Sequence, residues 1–330
     1  MTEIIMRFKI PLIVLGTIVC IIFLWWAIAG LIYRNAGIKN GLKFNNVTIG
    51  AKDVTALSGF YQTVFGFTAL ENNGSVLAAP GYGANEMTFR FVPAINPAGG
   101  TPVQANDLGY AHLCFEADDV YGVFQKLMAN GGSVVSTFEK QEREVAVYAR
   151  DPEGNIVEIH VPTPEKYAPA DIFRLLGSAI RAKLGIKGKV NAKIRFLHVN
   201  IITNDWERSS AFYQSAVGAK PFGKQRNYED DWIQNLVGVR DIHVIGEHVK
   251  MPGYGAIGPT LEIFTYNKKS RRRPLAEQDQ GIISVGFVTD NLAELLQSIG
   301  NAGGSIISQI ENNSAIAQDP DGNLITVTKK

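Results

Sequence analysis

Cysteine and histidine are both scarce in this chain. Of 330 residues two are cysteine, Cys20 and Cys114, and five are histidine. Cys20 lies in an apolar N-terminal run and Cys114 in an expected buried strand, so neither a disulfide framework nor a Cys-rich zinc site is available. Charge of one sign is also missing. Thirty-two Lys and Arg face 31 Asp and Glu, a net charge of +1, which gives no general nucleic-acid signal. There is no phosphate-loop sequence, no dinucleotide fingerprint of the usual kind and no convincing Ser-His-Asp arrangement. The turns Gly81-Tyr82-Gly83 and Gly253-Tyr254-Gly255 read as mobile loops.

What the chain does contain begins with Ile10 to Tyr33, a run without charge that includes Trp25 and Trp26. As a helix it reaches ~36 Å, enough to cross a hydrocarbon core of ~30 Å, and it shows no polar face of the kind a soluble helix carries. The expectation is a single-pass membrane anchor over residues 1–40. A cleaved signal peptide is the rival, because Ala27-Ile28-Ala29 fits a small-residue cleavage site. Arg7 and Lys9 precede the run while Arg34, Lys39 and Lys43 follow it, so the charges do not choose a side of the membrane.

Beyond the run the chain repeats. Ser58-Gly59-Phe60-Tyr61-Gln62 returns as Ser210-Ala211-Phe212-Tyr213-Gln214, and Asp151-Pro152-Glu153-Gly154-Asn155 returns as Asp319-Pro320-Asp321-Gly322-Asn323. Each half splits again. A strand at Phe44–Ile49 precedes a helical pattern at Val54–Phe65, and strand Ala111–Phe115 precedes helix Val120–Asn130. Strand Phe196–Ile202 precedes helix Trp206–Val217, and strand Ile282–Phe287 precedes helix Leu292–Asn301. The expectation is an α+β fold of four tandem β-α-β-β-β units, one domain over 41–163 and a second over 194–330. Tyr61 and Tyr213 lie 152 residues apart, whereas Gly131 and Gly303 lie 172 apart. About 20 residues are therefore inserted in the third unit, within Asn227–Tyr254, where loops often contact ligand.

A basic linker, 164–193, joins the halves. Within Asp171–Lys187, Ile172, Phe173, Leu175, Leu176, Ala179, Ile180 and Leu184 share a helical face opposite Arg174, Gly177, Ser178 and Arg181. One reading packs that apolar face on the domains. The other lays it on a bilayer surface, helped by Lys187, Lys189, Lys193 and Arg195. Lys268-Lys269 and Arg271-Arg272-Arg273 read as a solvated loop or a further headgroup contact.

The strand Leu197-His198-Val199-Asn200-Ile201, the following Asp205, the helix Ser209-Ser210-Ala211-Phe212-Tyr213 and the Asp-Pro-Glu/Asp-Gly-Asn turns resemble the vicinal oxygen chelate superfamily. This group includes glyoxalase I, methylmalonyl-CoA epimerase, extradiol dioxygenases and fosfomycin- or bleomycin-resistance proteins. The resemblance covers nearly everything from Leu42 onward. It implies that paired units form cupped mixed sheets around a divalent metal, with ligands from the first and last strands of each unit. Those positions read as Asn46, His112, His198 and Ser284 on first strands, and Thr88, Glu158, Glu262 and Thr326 on last strands. Sequential pairing of units would give two cups with one His and one Glu each, a poor catalytic site. Pairing two with three, and one with four, gathers His112, Glu158, His198 and Glu262 in one cup and leaves the other blank. A homodimer that swaps units could complete the same set.

Each residue also has a plainer reading. A strand histidine between apolar neighbours is usually a hydrogen-bonded core residue, and either Glu could turn outward to water. A carboxylate facing the interior, however, needs a partner or a metal. His160 shares the strand face of Glu158, Cys114 reads as packing, and His243 and His248 lie in the insertion away from matched repeat positions. Imidazole with carboxylate suits Zn, Ni, Co, Mn or Fe(II). The resemblance implies a membrane-anchored lyase or isomerase acting on a small oxygenated substrate through an enediolate-type intermediate. Glu158 is the expected base, and Glu262 its near-symmetric counterpart. The alternatives are a non-catalytic binding protein of resistance type, whose metal-free cup would be lined by Asn46, Thr88, Ser284 and Thr326, and an extradiol dioxygenase, for which Glu262 is surplus.

Overall fold

The computed structural model describes residues 14–25, 27, 41–83, 86–96, 102–135, 145–163, 169–186, 193–254, 258–270, 273–310 and 313–330. Residues 14–25 form helix α1. The first unit follows as β1 (Lys43–Ala51), α2 (Val54–Phe65), β2 (Thr68–Ala69), β3 (Val76–Ala78) and β4 (Thr88–Pro93). The second is β5 (Gly109–Ala117), α3 (Val120–Ala129), β6 (Ser133–Val134), β7 (Ala146–Arg150) and β8 (Ile156–His160). Helix α4 (Pro169–Leu184) leads to the third unit, β9 (Ile194–Ile202), α5 (Trp206–Val217), β10 (Lys220–Tyr228), α6 (Asp231–Val237), β11 (Val244–Lys250) and β12 (Thr260–Tyr266). The fourth is β13 (Gly281–Thr289), α7 (Leu292–Asn301), β14 (Ser305–Ile310), β15 (Ser314–Gln318) and β16 (Leu324–Lys329).

The helices begin and end where local chemistry requires. Asp53, Asp119, Asp205 and Asn291 cap α2, α3, α5 and α7, each side chain accepting from a backbone N–H of the first turn. Gly66 and Gly218 end α2 and α5 in the left-handed conformation, at φ 77° and 67°, which glycine adopts without a Cβ penalty.

The strands form two mixed eight-stranded sheets, ordered β14-β15-β16-β13-β1-β4-β3-β2 and β10-β11-β12-β9-β5-β8-β7-β6. The pairing is the non-sequential one. Unit one joins unit four along antiparallel β1 and β13, and unit two joins unit three along antiparallel β5 and β9. Each sheet takes one unit from each half of the chain. One continuous apolar core spans both sheets and takes in buried faces of α2, α3, α5 and α7. The aromatic rings of Phe65 and Phe115 stack in it at 4.1 Å, holding the first unit's helix to the second unit's first strand.

The repeated sequence motifs prove to touch each other. Tyr61 donates its hydroxyl to Asp151 at 3.0 Å, and Tyr213 donates to Asp319 at 3.2 Å. Each Asp also accepts from the backbone N–H and side-chain amide of the Asn that closes its turn, Asn155 or Asn323. The two motifs therefore recur together because a buried tyrosine in one unit caps a buried turn in the next.

Two sequence expectations need correction. Counted back from the helix N-caps, His112, His198, Asn46 and Ser284 all lie seven residues before the cap and are equivalent. On the last strands, Glu158 pairs with Cys114, Glu262 with Asn200 and Thr326 with Gly286, but the matching residue of β1 is Thr48, whose partner is Arg90. The first unit thus carries exposed Arg90, not Thr88, at the carboxylate position. The shift comes from register, since a displacement of two residues keeps the same strand face. The second correction concerns α4, most of whose large apolar residues do not pack on the body, Leu175 being the exception. Phe173, Leu176, Ile180 and Leu184 are 70, 51, 59 and 64% exposed, while Ser178 and Ala182 are buried.

Among the described residues no helix is long and apolar enough to cross a membrane. Of the span expected at 10–33, residues 10–13, 26 and 28–33 lie outside the described residues, as do Arg271 and Arg272. Arg273 pairs with Asp279 at 3.0 Å and Lys268 with Asp241 at 3.3 Å, local contacts that suit the solvated-loop reading.

Candidate metal centre

Four side chains converge in the sheet built from units two and three. His112 on β5, Glu158 on β8, His198 on β9 and Glu262 on β12 are all buried, and one ligand atom from each lies within 4.8 Å of the others. The two Nε2 atoms are 3.3 Å apart. His112 Nε2 is 3.3 Å from Glu158 Oε2 and 3.4 Å from Glu262 Oε2, and His198 Nε2 is 3.4 Å from both. A single chain supplies the whole set.

These distances test whether the residues fit a metal. A hydrogen-bonded pair prefers about 2.9 Å, and one ring nitrogen can direct one proton or lone pair at one partner. Here each nitrogen sits equally far from three neighbours. Four ligands about 2.0–2.1 Å from one ion at tetrahedral angles lie about 3.3–3.4 Å apart. The five separations that involve a histidine match that edge length, and the sixth, between the two carboxylates, is within 4.8 Å. Two imidazole nitrogens and two carboxylate oxygens form a donor set for a borderline divalent ion.

Electrostatics point the same way. Burial pushes both carboxyls up, yet the hydrogen bonds and charge of His112 and His198 hold Glu158 below the usual carboxylate range. Glu262 is held well below it against the same burial, by His198, His248 and His112. Burial acts to lower the His198 imidazole, and Cys114 and Glu262 beside it override that and raise it well above the ordinary value. Two buried carboxylates side by side require compensating positive charge, from protons or from a cation.

The neighbours of the four are related by the same pseudo-twofold, but with different chemistry. Tyr148 on β7 pairs with Glu158, and His248 on β11 pairs with Glu262. Tyr148 Oη lies 3.3 Å from His112 Nε2, whereas His248 Nε2 lies 3.0 Å from Glu262 Oε1. Asn200 donates its amide to Glu262 Oε2 at 2.9 Å, where the second unit has Cys114. Glu262 is therefore gripped at both oxygens. Among the described residues Glu158 receives only the two imidazoles. Burial lowers His248, which suits a neutral ring donating to Glu262.

A cavity of about 240 Å³ opens on this cluster. The insertion in the third unit builds one wall, with Tyr228, Trp232, Ile233 and Leu236, and Phe222 and Arg226 of β10 continue it. His160, beside Glu158, lines the same cavity, as does Cys114. His243 does not, its Nε2 lying 2.6 Å from Asn227 Oδ1. His248 is the residue that sequence reasoning set aside wrongly. It lacks a matching histidine because its counterpart is Tyr148, and only the register of β11 on β12 shows that both aim at the same centre.

The other sheet offers no such site at the equivalent positions. Asn46 Nδ2 donates to Thr88 Oγ1 at 3.3 Å, Thr88 Oγ1 donates to the Asn45 carbonyl at 3.0 Å, and Thr48 Oγ1 donates to Asn46 Oδ1 at 3.0 Å. These polar groups satisfy one another. Arg90 in place of a carboxylate disfavours a cation there.

Comparison with known proteins agrees with the geometry. The Glyoxalase/Bleomycin resistance protein/Dioxygenase superfamily model matches residues 43–159 and 195–327. Glyoxalase I from Zea mays has a similar fold, with a TM-score of 0.56 at 18% identity over 87% of this chain and 92% of that one. A variant of the same maize protein gives a TM-score of 0.54 at 17% identity, over 88% and 94% of the two chains. No curated protein matches the sequence. With both halves matched and four β-α-β-β-β units closing two cupped sheets, this chain belongs to the glyoxalase/bleomycin resistance protein/dioxygenase superfamily.

Proposed function

We propose that this protein is a metal-dependent lyase or isomerase that acts on a compact oxygenated substrate through an enediolate-type intermediate. The observation that carries the reading is the convergence of His112, Glu158, His198 and Glu262 at tetrahedral edge lengths beneath a cavity. A divalent ion held by these four would supply Lewis-acid polarisation of a substrate carbonyl. His112 and His198 hold the centre from the two first strands, and Glu262 is fixed there by Asn200 and His248. Glu158, with fewer donors, is the carboxylate freer to take the proton from the carbon beside the carbonyl. It returns that proton to the former carbonyl carbon of the enediolate while the hydroxyl proton passes to the other oxygen, which completes the isomerisation. Trp232, Ile233 and Leu236 give the cavity an apolar wall, and its volume of about 240 Å³ suits a small substrate.

The test is proton exchange. Protein loaded with Zn²⁺, Ni²⁺ or Co²⁺ is incubated in D₂O with α-hydroxy ketones and 2-hydroxyacyl thioesters and followed by NMR. Deuterium at the carbon next to the carbonyl, lost in Glu158→Gln, supports the reading. If no substrate exchanges while ligands still perturb the Co²⁺ spectrum, the protein binds without catalysis and the lyase reading falls.

We further propose that residues 10–33 anchor the protein as a single-pass membrane segment. The absence of charge from Ile10 to Tyr33 supports this, as does the exposure of Leu15, Ile21, Phe23 and Leu24 on α1. Alkaline carbonate washing of membranes from expressing cells tests it. Release of the intact chain into the supernatant would refute anchoring, and a mature N-terminus beyond Ala29 would identify a cleaved signal peptide instead.

A further inference from the structure

Helix α4 is oriented against the usual rule. Arg174 donates from Nε to Asp118 at 2.5 Å and from Nη1 to Glu116 at 3.2 Å, so the polar face is the one fastened to the body. Glu116 is fully buried there and also accepts from Arg195 at 3.0 Å and from the Thr163 backbone at 3.0 Å. Leu175 and Ala182 join the main core on the same side. The opposite side presents Phe173, Leu176, Ile180 and Leu184 in one stripe, with Ile186 beyond it at 51% exposure. Lys183 is exposed at the stripe's border, and Lys187, Lys189 and Lys193 follow in sequence. Scattered apolar residues on a surface are ordinary, but a contiguous stripe edged by lysines marks a surface that meets another phase or partner.

The place where the N-terminal segment enters the body identifies the occupant. Lys43, at the start of β1, lies over the Tyr254 ring at 4.8 Å and pairs with Glu86 at 3.9 Å. Tyr254 packs edge-on against Tyr82 at 5.5 Å, and Tyr82 donates to the Phe196 carbonyl at 2.8 Å. Arg195, the residue before Phe196, pairs with Glu116, which also binds Arg174 of α4. An unbroken line of contacts thus runs from the start of β1, where the chain enters the body from its N-terminal side, to α4. Both glycine-flanked tyrosines of the sequence are links in it.

We propose that α4 is an interfacial helix whose Phe173, Leu176, Ile180 and Leu184 stripe seats the body on the same anionic bilayer that residues 10–33 enter. The inference rests on the anchor reading and adds a second, reversible contact. Phe173, Leu176, Ile180 and Leu184 insert among the acyl chains to a depth of about 5–10 Å while Lys183, at the stripe's border, faces the lipid phosphates. A body fixed this way hangs from two points and cannot rotate freely about its tether.

The test uses the full chain, with Cys20→Ser to remove the exposed thiol, reconstituted into liposomes of phosphatidylcholine and phosphatidylglycerol. A polarity-sensitive fluorophore is attached at Ile180→Cys in one sample and at Gln297→Cys, exposed on α7, in another. The label at 180 should emit several-fold more brightly, be quenched by lipids brominated near the top of the acyl chain, and dim when Phe173→Glu and Leu184→Glu are added. The label at 297 should report water throughout. Equal water exposure at both positions would overturn the inference. So would brightness at 180 that falls as the lipid-to-protein ratio rises, which would identify a second copy of the chain as the occupant. A carbonate-resistant pellet with a water-exposed label at 180 would leave the anchor standing and sink α4 alone.

Discussion

Removal of a single imidazole should empty the whole metal centre, because its two histidines come from different halves of the chain. A fragment from Gly41 onward carries every strand of both sheets. Purified without chelator and reloaded, it should hold about one divalent ion per chain. At free metal 100-fold above the dissociation constant, binding stabilises the native state by ~2.7 kcal/mol. For a body of this size that is a rise in Tm of about 5–10 °C, at ~2–4 °C per kcal/mol. His112 contacts His198, Glu158 and Glu262 alike, so its loss removes one corner of the cluster and leaves two buried carboxylates sharing His198, with His248 beside Glu262 alone. Losing a direct ligand should weaken affinity more than the 10–100-fold typical of an outer-sphere partner. At the same free metal, the stabilisation then falls to a few tenths of a kcal/mol. His112→Ala and His198→Ala should each lose both the metal and the thermal shift, as read by elemental analysis and by melting with and without chelator. Asn46→Ala and Ser284→Ala, in the other sheet, should lose neither. Retention of half the metal in either histidine variant, or two ions per wild-type chain, would mean that each half binds independently and would refute the shared centre.

The two glutamates should separate in function. Glu158→Gln keeps an amide oxygen at the ligand position and should still load at saturating Co²⁺ while lowering proton exchange by ~10²–10⁴, whereas Glu262→Gln also disturbs the contacts of Asn200 and His248 and should need more Co²⁺ to load, which titration would show. Trp232→Ala should raise KM about tenfold with kcat little changed, since it removes apolar contact remote from the reacting atoms. Asp151 is pushed up from 3.8 to about 6 by burial, despite hydrogen bonds from Asn155 and Tyr61. A raised carboxyl contributes stability that is present below its unfolded pKa and lost as pH rises through about 6, up to roughly 3 kcal/mol. The stability of wild type relative to Asp151→Asn should therefore be greater at pH 4.5 than at pH 7 in urea melts, and a pH-independent difference would contradict the assignment. Tyr213→Phe should cost about 1–3 kcal/mol by leaving Asp319 short of a buried donor.

Much of this fold was legible in the sequence because its determinants are local. Apolar periodicity placed α2, α5 and α7 at the bounds observed, where capping Asp and Asn residues hold their first turns, and a repeat of helix and turn motifs marked four units. The metal cluster was legible by equivalence, since two units keep His and Glu and the others do not. His248, Asn200 and Tyr148 were not, because their roles depend on which residues face each other across strands. Arg90 was misassigned as Thr88 for the same reason: a two-residue slip preserves strand alternation and leaves no trace in the pattern.

The orientation of α4 shows the same boundary from another side. Its sequence determines an amphipathic helix and nothing about which face meets the body. Glu116 and Asp118 select it, since both accept from Arg174 and removing the partner of a buried carboxylate is costly. Apolar periodicity and repeats determined the units and their donor atoms. Only the tertiary structure decided that unit two meets unit three, because strand pairing couples residues 86 positions apart, as for His112 and His198, through contacts that no local pattern records.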